Sequence, residues 1–331
     1  MTMRLSDTVV LGNTGIRVSR VGFGVHPLGP SRMNLSLPDG AELMLYAYRN
    51  GIRFFDTAQF YRTYHYVKAA LERIRADDAF EEVPVISGKS LAESYEDMTE
   101  AIDEALRETG LDRLDLFLMH QVAADYGEER EGAKKALLDA RKQGKIRAAG
   151  ISTHHQDAAA FAAADPELDV VFALYNYTGL GIRCGDAPGS AAGMLSALKS
   201  CRAAGKGVYT MKVFGGGNLT RDYQTAVRHV FSDCADTIEA AVIGFTSKRE
   251  IDELGLLMTG EMEAAYNPPT DHKRLRIDRG DCMGCGTCVR ICASGAMHYS
   301  REDGLAEIDY EKCVSCHYCA IACPERAIVF W

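Results

Sequence analysis

Residues Ile52–Tyr61, IRFFDTAQFY, place a short apolar run directly before a carboxylate and a phenol. The run is too short for a helix and shows no alternation of polar and apolar residues. That pattern belongs to a strand buried on both faces, as in a parallel sheet. Runs of the same kind recur along the chain: VSRVGFG (18–24), VPVISGK (83–89), LDLFLMH (114–120), IRAAGIS (146–152), VVFALYN (170–176), GVYTMKV (207–213) and AAVIGF (240–245). Amphipathic stretches lie between them. In SYEDMTEAIDEALRETG (94–110), Met98, Ile102, Ala105 and Leu106 share one helical face, and EGAKKALLDARKQGK (131–145), SALKSCRAAGK (196–206) and TSKREIDELGLLM (246–258) read alike. Eight strand-plus-helix units predict an α/β protein built on a parallel (β/α)8 barrel, with residues before about Arg17 as a short N-terminal cover. An open doubly wound sheet is the runner-up, but no strand is followed by G-x-G-x-x-G.

Barrel strands present functional groups at their C-terminal ends. Read in order, those ends carry Asp56, Lys89 and His120, with Tyr61 in the loop after Asp56. A free phenol titrates near 10, so a tyrosine that trades protons near neutrality needs a cation beside it. Lys89 supplies that cation in this reading and Asp56 anchors it. Each residue alone has an ordinary structural explanation; four of them at successive strand ends do not.

The tail has a different character. Eleven cysteines are present, and eight fall in the last fifty residues as two runs, CMGCGTCVRIC (282–292) and CVSCHYCAIAC (313–323). Each reads C-x2-C-x2-C-x3-C. Zinc also takes four thiolates, but its sites usually come as two separated C-x2-C pairs. The repeated run resembles a bacterial two-cluster ferredoxin. That resemblance implies two [4Fe–4S] clusters with ligands crossed between the runs: Cys282, Cys285, Cys288 and Cys323 for one, and Cys313, Cys316, Cys319 and Cys292 for the other. Pro324 follows the second run as in that family; Ala293 follows the first. With the thiolate count complete, His317 reads as an exposed loop residue. Cys184, Cys201 and Cys234 lack metal spacing and read as small apolar packing groups.

The prolines in TGEMEAAYNPPTDHKR (259–274) break the helical rhythm and place a joint at Pro268-Pro269. The expected division is a barrel over residues 1–258, a linker over 259–273 and an α+β ferredoxin-like domain over 274–331. Because the catalytic groups face the barrel mouth, the tail is expected to fold back toward that rim.

LGNTGIRVSRVGFG (11–24), FFDTAQFY (54–61), SGK (87–89), GLDRLDLFLMH (110–120) and GIS (150–152) together resemble the aldo-keto reductases, over most of residues 8–258. The resemblance implies Tyr61 as proton donor to a carbonyl oxygen, Lys89 lowering its pKa, Asp56 holding Lys89 and His120 orienting the carbonyl. It also implies NADP(H), with Ser152 against the nicotinamide amide, backbone N–H groups of the loop with Gly215 and Gly217 at the pyrophosphate, and Lys248 and Arg249 on the adenosine phosphate; Lys212, at a strand end, is a candidate to touch cofactor or substrate. Two positions depart from the pattern. Phe172 stands where a glutamine is usual, and Leu254 follows Glu253 where an asparagine is usual. His26, His154 and His155 follow strands at the same face and are candidates for the substrate pocket.

A net charge of −9 and the lack of a basic run exclude a general nucleic-acid or anionic-membrane binder. No apolar stretch has the length of a signal sequence or a membrane span, and the thiol-rich tail points to a reducing cytoplasm. Three readings of function follow. In the first, the barrel interconverts a carbonyl and an alcohol with NADP(H) while the clusters exchange electrons with a redox partner. In the second, the clusters feed single electrons to a substrate in the barrel without nicotinamide. In the third, the barrel is a docking platform for a redox carrier.

Overall fold

The computed structural model describes residues 2–30, 32–78, 80–123, 127–263, 266–268, 274–313 and 317–330. A hairpin of β1 (Thr8–Val10) and β2 (Arg17–Ser19) precedes the barrel. The barrel strands are β3 (Val21–Gly24), β4 (Phe54–Asp56), β5 (Val85–Ser90), β6 (Leu114–Met119), β7 (Ile146–Thr153) and β8 (Val170–Leu174). A small antiparallel pair, β9 (Arg183–Cys184) and β10 (Ala187–Pro188), interrupts the series before β11 (Gly207–Met211) and β12 (Ala240–Gly244) complete it. All neighbouring barrel strands are parallel, and β12 pairs with β3 to close the ring.

Helices α1 (Leu37–Arg49), α2 (Tyr64–Arg75), α3 (Tyr95–Thr109), α4 (Glu131–Lys142), α5 (Gln156–Ala164), α6 (Ala191–Ala203), α7 (Tyr223–Arg228) and α8 (Lys248–Thr259) form the outer layer. Their limits follow from local chemistry. The Ser94 hydroxyl accepts from Asp97 N–H to start α3, and Gly110 in a left-handed conformation ends it; Ser247 and Gly260 do the same for α8.

Strand alternation sorts the core into two parts. Phe54, Leu116, Leu118, Val170, Phe172, Tyr209 and Val242 fill the barrel interior, and Leu11, Ile16 and Val18 of the hairpin region close its floor. The intervening Phe55, Phe117, Met119, Val171, Val208 and Ala241 face the helices. VSRVGFG, read as one strand, divides at Arg20: Val18 belongs to the hairpin and Val21–Gly24 to the barrel. Gly150 in β7 has no alternative, because a Cβ there would collide with the Val170 carbonyl of the adjacent strand.

The tail contributes β13 (Leu275–Ile277), α9 (Thr287–Ile291), β14 (Met297–Tyr299), β15 (Ala306–Ile308), α10 (Tyr318–Ala322) and β16 (Ile328–Phe330). β13 pairs with β16 and β14 with β15, both antiparallel, around a core that includes Cys288, Cys319 and Cys323. This unit sits on the C-terminal face of the barrel, the expected side. Phe330 N–H donates to Gly216 O at 2.9 Å, and Asn218 Nδ2 donates to Ile328 O at 3.3 Å. Arg32 pairs with Asp278, and Arg183 Nη1 donates to Pro324 O at 3.3 Å. No helix among the described residues is long and apolar enough to cross a membrane. Pro269 and the rest of the linker from 269 to 273 lie outside the described residues.

Candidate active site and cluster sites

β4 and β5 are adjacent, which brings Asp56 and Lys89 together. Lys89 Nζ donates to Asp56 Oδ1 at 2.6 Å and to Thr57 O at 2.7 Å, and the lysine side chain is fully enclosed. Burial pulls Lys89 below its ordinary pKa and pushes Asp56 above its own, each opposed by the partner's charge. Tyr61 ends the turn after β4. Its ring lies 4.8 Å from Lys89 Nζ, stacks on His26 at 4.0 Å and meets His120 edge-on at 5.6 Å. His120, at the end of β6, is buried, and its Nδ1 has no partner among the described residues. Burial, then Lys89, holds this imidazole well below 6.5, so it is neutral at pH 7. The four strand-end groups of the sequence reading thus converge on one place.

The resemblance implies that Lys89 lowers the Tyr61 pKa; in the free site burial, then the carboxylates of Asp56 and Asp281, push the phenol the other way, well above 10, which favours its protonated form.

From Tyr61 and Asp56 a cleft with a cavity volume of about 340 Å³ runs to Thr246, Glu250 and Glu253 at the start of α8. Phe172, Met211, Phe214 and Phe245 make its walls apolar, and Arg276, Val329 and Phe330 of the tail roof it. Phe172 stacks on Tyr209 at 4.4 Å, so the position of the usual glutamine is part of an apolar floor. His26, Lys212 and Gly217 line the cleft, whereas Ser152, His154 and His155 do not. Gly215 and Gly216 line a smaller pocket beside it.

At the α8 end, Lys248 Nζ lies 2.8 Å from Glu42 and Arg249 Nε 2.6 Å from Glu253; Glu253 lines the cleft, while the two cations are not among its lining residues. Glu250 accepts from Thr246 N at 2.7 Å and from Thr246 Oγ1 at 3.0 Å, occupying donors that a phosphate would use. The Gly215–Gly217 loop is likewise engaged by the tail. Gly217 has φ +90°, and a Cβ there would strike the Phe330 carbonyl oxygen.

In the tail, Cys282, Cys285, Cys288 and Cys323 line one narrow pocket. Burial pushes the Cys288 thiol up, and the charges of Cys323, Cys282 and Cys285 add to that, which places the four sulfurs within mutual electrostatic reach. Four soft thiol donors around a pocket fit a [4Fe–4S] cluster with the crossed ligand set. Of the other set, Cys313, Cys319 and Cys292 pack in the same core, and Cys316 lies outside the described residues.

Two cysteine and histidine readings need correction. Cys184 is exposed in β9, while Cys201 and Cys234 are buried. His317 is half-buried, not exposed: its Nδ1 is 2.9 Å from Asn218 Oδ1 and its ring meets Phe330 edge-on at 4.5 Å. Sequence reasoning misses Asp281 altogether. This residue precedes Cys282, bonds Gln121 Nε2 at 3.3 Å, and acts on both Tyr61 and Lys212. An acid beside a ligand cysteine is the available signal, but only the docked tail shows that it reaches the barrel.

Comparison with known proteins agrees with this geometry. The aldo/keto reductase family model matches residues 20–253, and a 4Fe-4S dicluster domain model matches residues 281–328. L-galactose dehydrogenase of Arabidopsis thaliana is 30% identical over 151 residues, 43% of this chain and 47% of that protein. The iron-sulfur subunit of a dimethyl sulfoxide reductase from Halobacterium salinarum is 40% identical over 73 residues, 22% of this chain and 23% of that protein. The chain therefore spans less than half the length of these curated relatives. The holo form of an aldo-keto reductase from Bacillus halodurans superposes with a TM-score of 0.61 at 16% identity, covering 78% of this chain and 92% of that one. A closed parallel barrel joined to a thiol-lined tail is the architecture that these two domain models describe. The chain belongs to the aldo/keto reductase family.

Proposed function

We propose that the barrel interconverts a carbonyl and an alcohol on a small molecule, with a nicotinamide dinucleotide in the long cleft and two [4Fe–4S] clusters in the tail for electron transfer. The buried Lys89–Asp56 pair under the Tyr61 ring carries this reading, because burying a charged pair beside a phenol at a cleft floor is costly without a chemical use. Tyr61 holds the proton that goes to the carbonyl oxygen. Lys89, with one N–H beyond those given to Asp56 and Thr57, steadies the oxyanion side of that transfer, and neutral His120 orients the carbonyl. When bound, the dinucleotide supplies the hydride equivalent and the clusters supply or accept single electrons. Glu250 and the pairing of Lys248 with Glu42 and Arg249 with Glu253 favour a dinucleotide without a 2′-phosphate over the NADP(H) expected from the sequence. The barrel of residues 1–258 and the tail of 274–331 act as the two working units, in a reducing cytoplasm with a redox partner.

The test is Tyr61→Phe, which removes one hydroxyl. Carbonyl reduction should fall by at least about a hundredfold with iron content unchanged. Retained turnover would assign the proton to another group.

A second reading has its own observation. Asp281 reaches Tyr61 and Lys212 electrostatically and is joined to Cys282, so a cluster held by Cys282, Cys285, Cys288 and Cys323 would be bound close to the reactive groups. Single electrons would then enter the substrate directly, with Tyr61, Lys89 and His120 stabilising the resulting radical anion. Dithionite replacing the dinucleotide in full turnover would select this reading. Strict dependence on NADH or NADPH would select the first.

A further inference from the structure

Two turns stand side by side at the mouth of the barrel. β3 and β4 pair in register, Gly24 opposite Asp56, and Val25 N–H donates to Asp56 O at 2.8 Å. A single 3-10 turn follows each strand closely, His26–Leu28 after β3 and Gln59–Tyr61 after β4. Gly29 lets the two approach, since a Cβ there would lie 2.8 Å from the Tyr61 carbonyl oxygen. Pro27 stiffens the first turn, and Arg62 closes the second in a left-handed conformation, φ +54°. A non-glycine residue keeps that conformation where its surroundings impose it.

This register lays His26 flat on Tyr61. The ring centroids are 4.0 Å apart and the planes differ by 6°. Aromatic pairs left to themselves settle at about 4.5–7 Å, so the turns press these two rings together. Both residues line the large cleft. The stack covers a face of the phenol and leaves its hydroxyl, which lies in the ring plane, uncovered. Burial, then Arg32, Lys212 and Lys89, hold His26 well below 6.5, so it packs as a neutral ring at pH 7. The tail leans on both turns. Asp278 pairs with Arg32, whose backbone N–H donates to Gly29 O at 3.0 Å. Gly280 lies against the Phe60 ring, which a Cβ there would approach to 2.4 Å.

We propose that His26 is a positioning residue for the reaction centre: its ring fixes the plane and swing of the Tyr61 ring, and with them the line along which the phenolic hydroxyl meets a substrate oxygen in the cleft. This rests on the proton-donor role proposed for Tyr61. A phenol free to swing about its Cα–Cβ bond keeps its proton but spends less time aligned for transfer, so His26 contributes to rate and not to substrate affinity. The flat face of the ring does this, not the imidazole nitrogens, and a phenyl ring serves in its place.

The test uses the full-length, cluster-loaded protein and the reduction of benzaldehyde, or of the first simple aldehyde or ketone that the wild type turns over, with NADH, NADPH or dithionite as reductant. His26→Ala should lower kcat at least about tenfold and change KM for the carbonyl compound less than about twofold, with iron and sulfide content unchanged. His26→Phe should restore most of that kcat. Full kcat in His26→Ala overturns the proposal. So does a His26→Phe variant as slow as His26→Ala, which would assign the work to the imidazole nitrogens. A second readout needs no turnover. Fluorotyrosine placed at position 61 should give a fluorine resonance shifted upfield by the ring stacked on it, kept in His26→Phe and lost in His26→Ala. A resonance indifferent to residue 26 overturns the stack itself. A resonance that depends on residue 26, in a protein that reduces no carbonyl, would keep the stack and refute the role given to Tyr61, and the positioning role with it.

Discussion

His120 shows what a buried neutral base does to both chemistry and stability. An unfolded histidine titrates near 6.5, and burial takes the folded one well below that. The unfolded chain therefore binds a proton first as pH falls. The stability associated with His120 is full above pH 6.5 and declines below it, by about 1.4 kcal/mol per pH unit until the folded group also protonates. Anaerobic urea unfolding of wild type and His120→Asn should show this as a difference in the pH slope between 6.5 and 5.5. Identical slopes would mean that the imidazole is already charged in the fold. Glu250 offers a second measurement at the same scale. Its carboxylate holds the Thr246 donors that a 2′-phosphate would need, so Glu250→Gln should tighten NADPH about tenfold relative to NADH. An unchanged ratio would remove Glu250 from dinucleotide selection.

Among the elements, the Gly215–Gly217 loop joins the two units. Its glycines accept β16 against them, and Gly217 has neither room for a Cβ nor a conformation that favours one. Gly217→Ala should loosen the tail by about 1–2 kcal/mol or more, read as faster proteolysis around residues 260–274 with the barrel's circular dichroism preserved. Equal protease resistance would show that the seam is held elsewhere. The barrel itself was legible because each strand is a continuous apolar run closed by a polar group, and Asp56, Lys89 and His120 could be placed by that rule alone. The loop's role was not. A glycine-rich turn after β11 suits a phosphate or a neighbouring backbone equally well, and its neighbour lies more than a hundred residues away. The same distance hid Asp281, and the pairing of Lys248 depended on Glu42 in α1. Local pattern fixes which groups a strand end carries; partners brought in by tertiary packing decide where those groups point.

At the scale of the molecule, crossed ligand sets would make the tail a single folding unit. Anaerobically purified protein should hold about eight iron and eight sulfide, and Cys323→Ser should disturb the cluster of Cys282, Cys285 and Cys288 although it lies in the other run. Loss of the other cluster alone would show that the ligands do not cross. The roof of the cleft then has a kinetic consequence. Arg276, Val329 and Phe330 cover the space in which a cofactor would lie, and they belong to the same unit that holds the thiols. A molecule beneath them would be released most directly by this roof lifting. If the roof must lift for exchange, residence time and electron supply would become one variable: each exchange event would break the path between the two units, and each restored path would close the chamber.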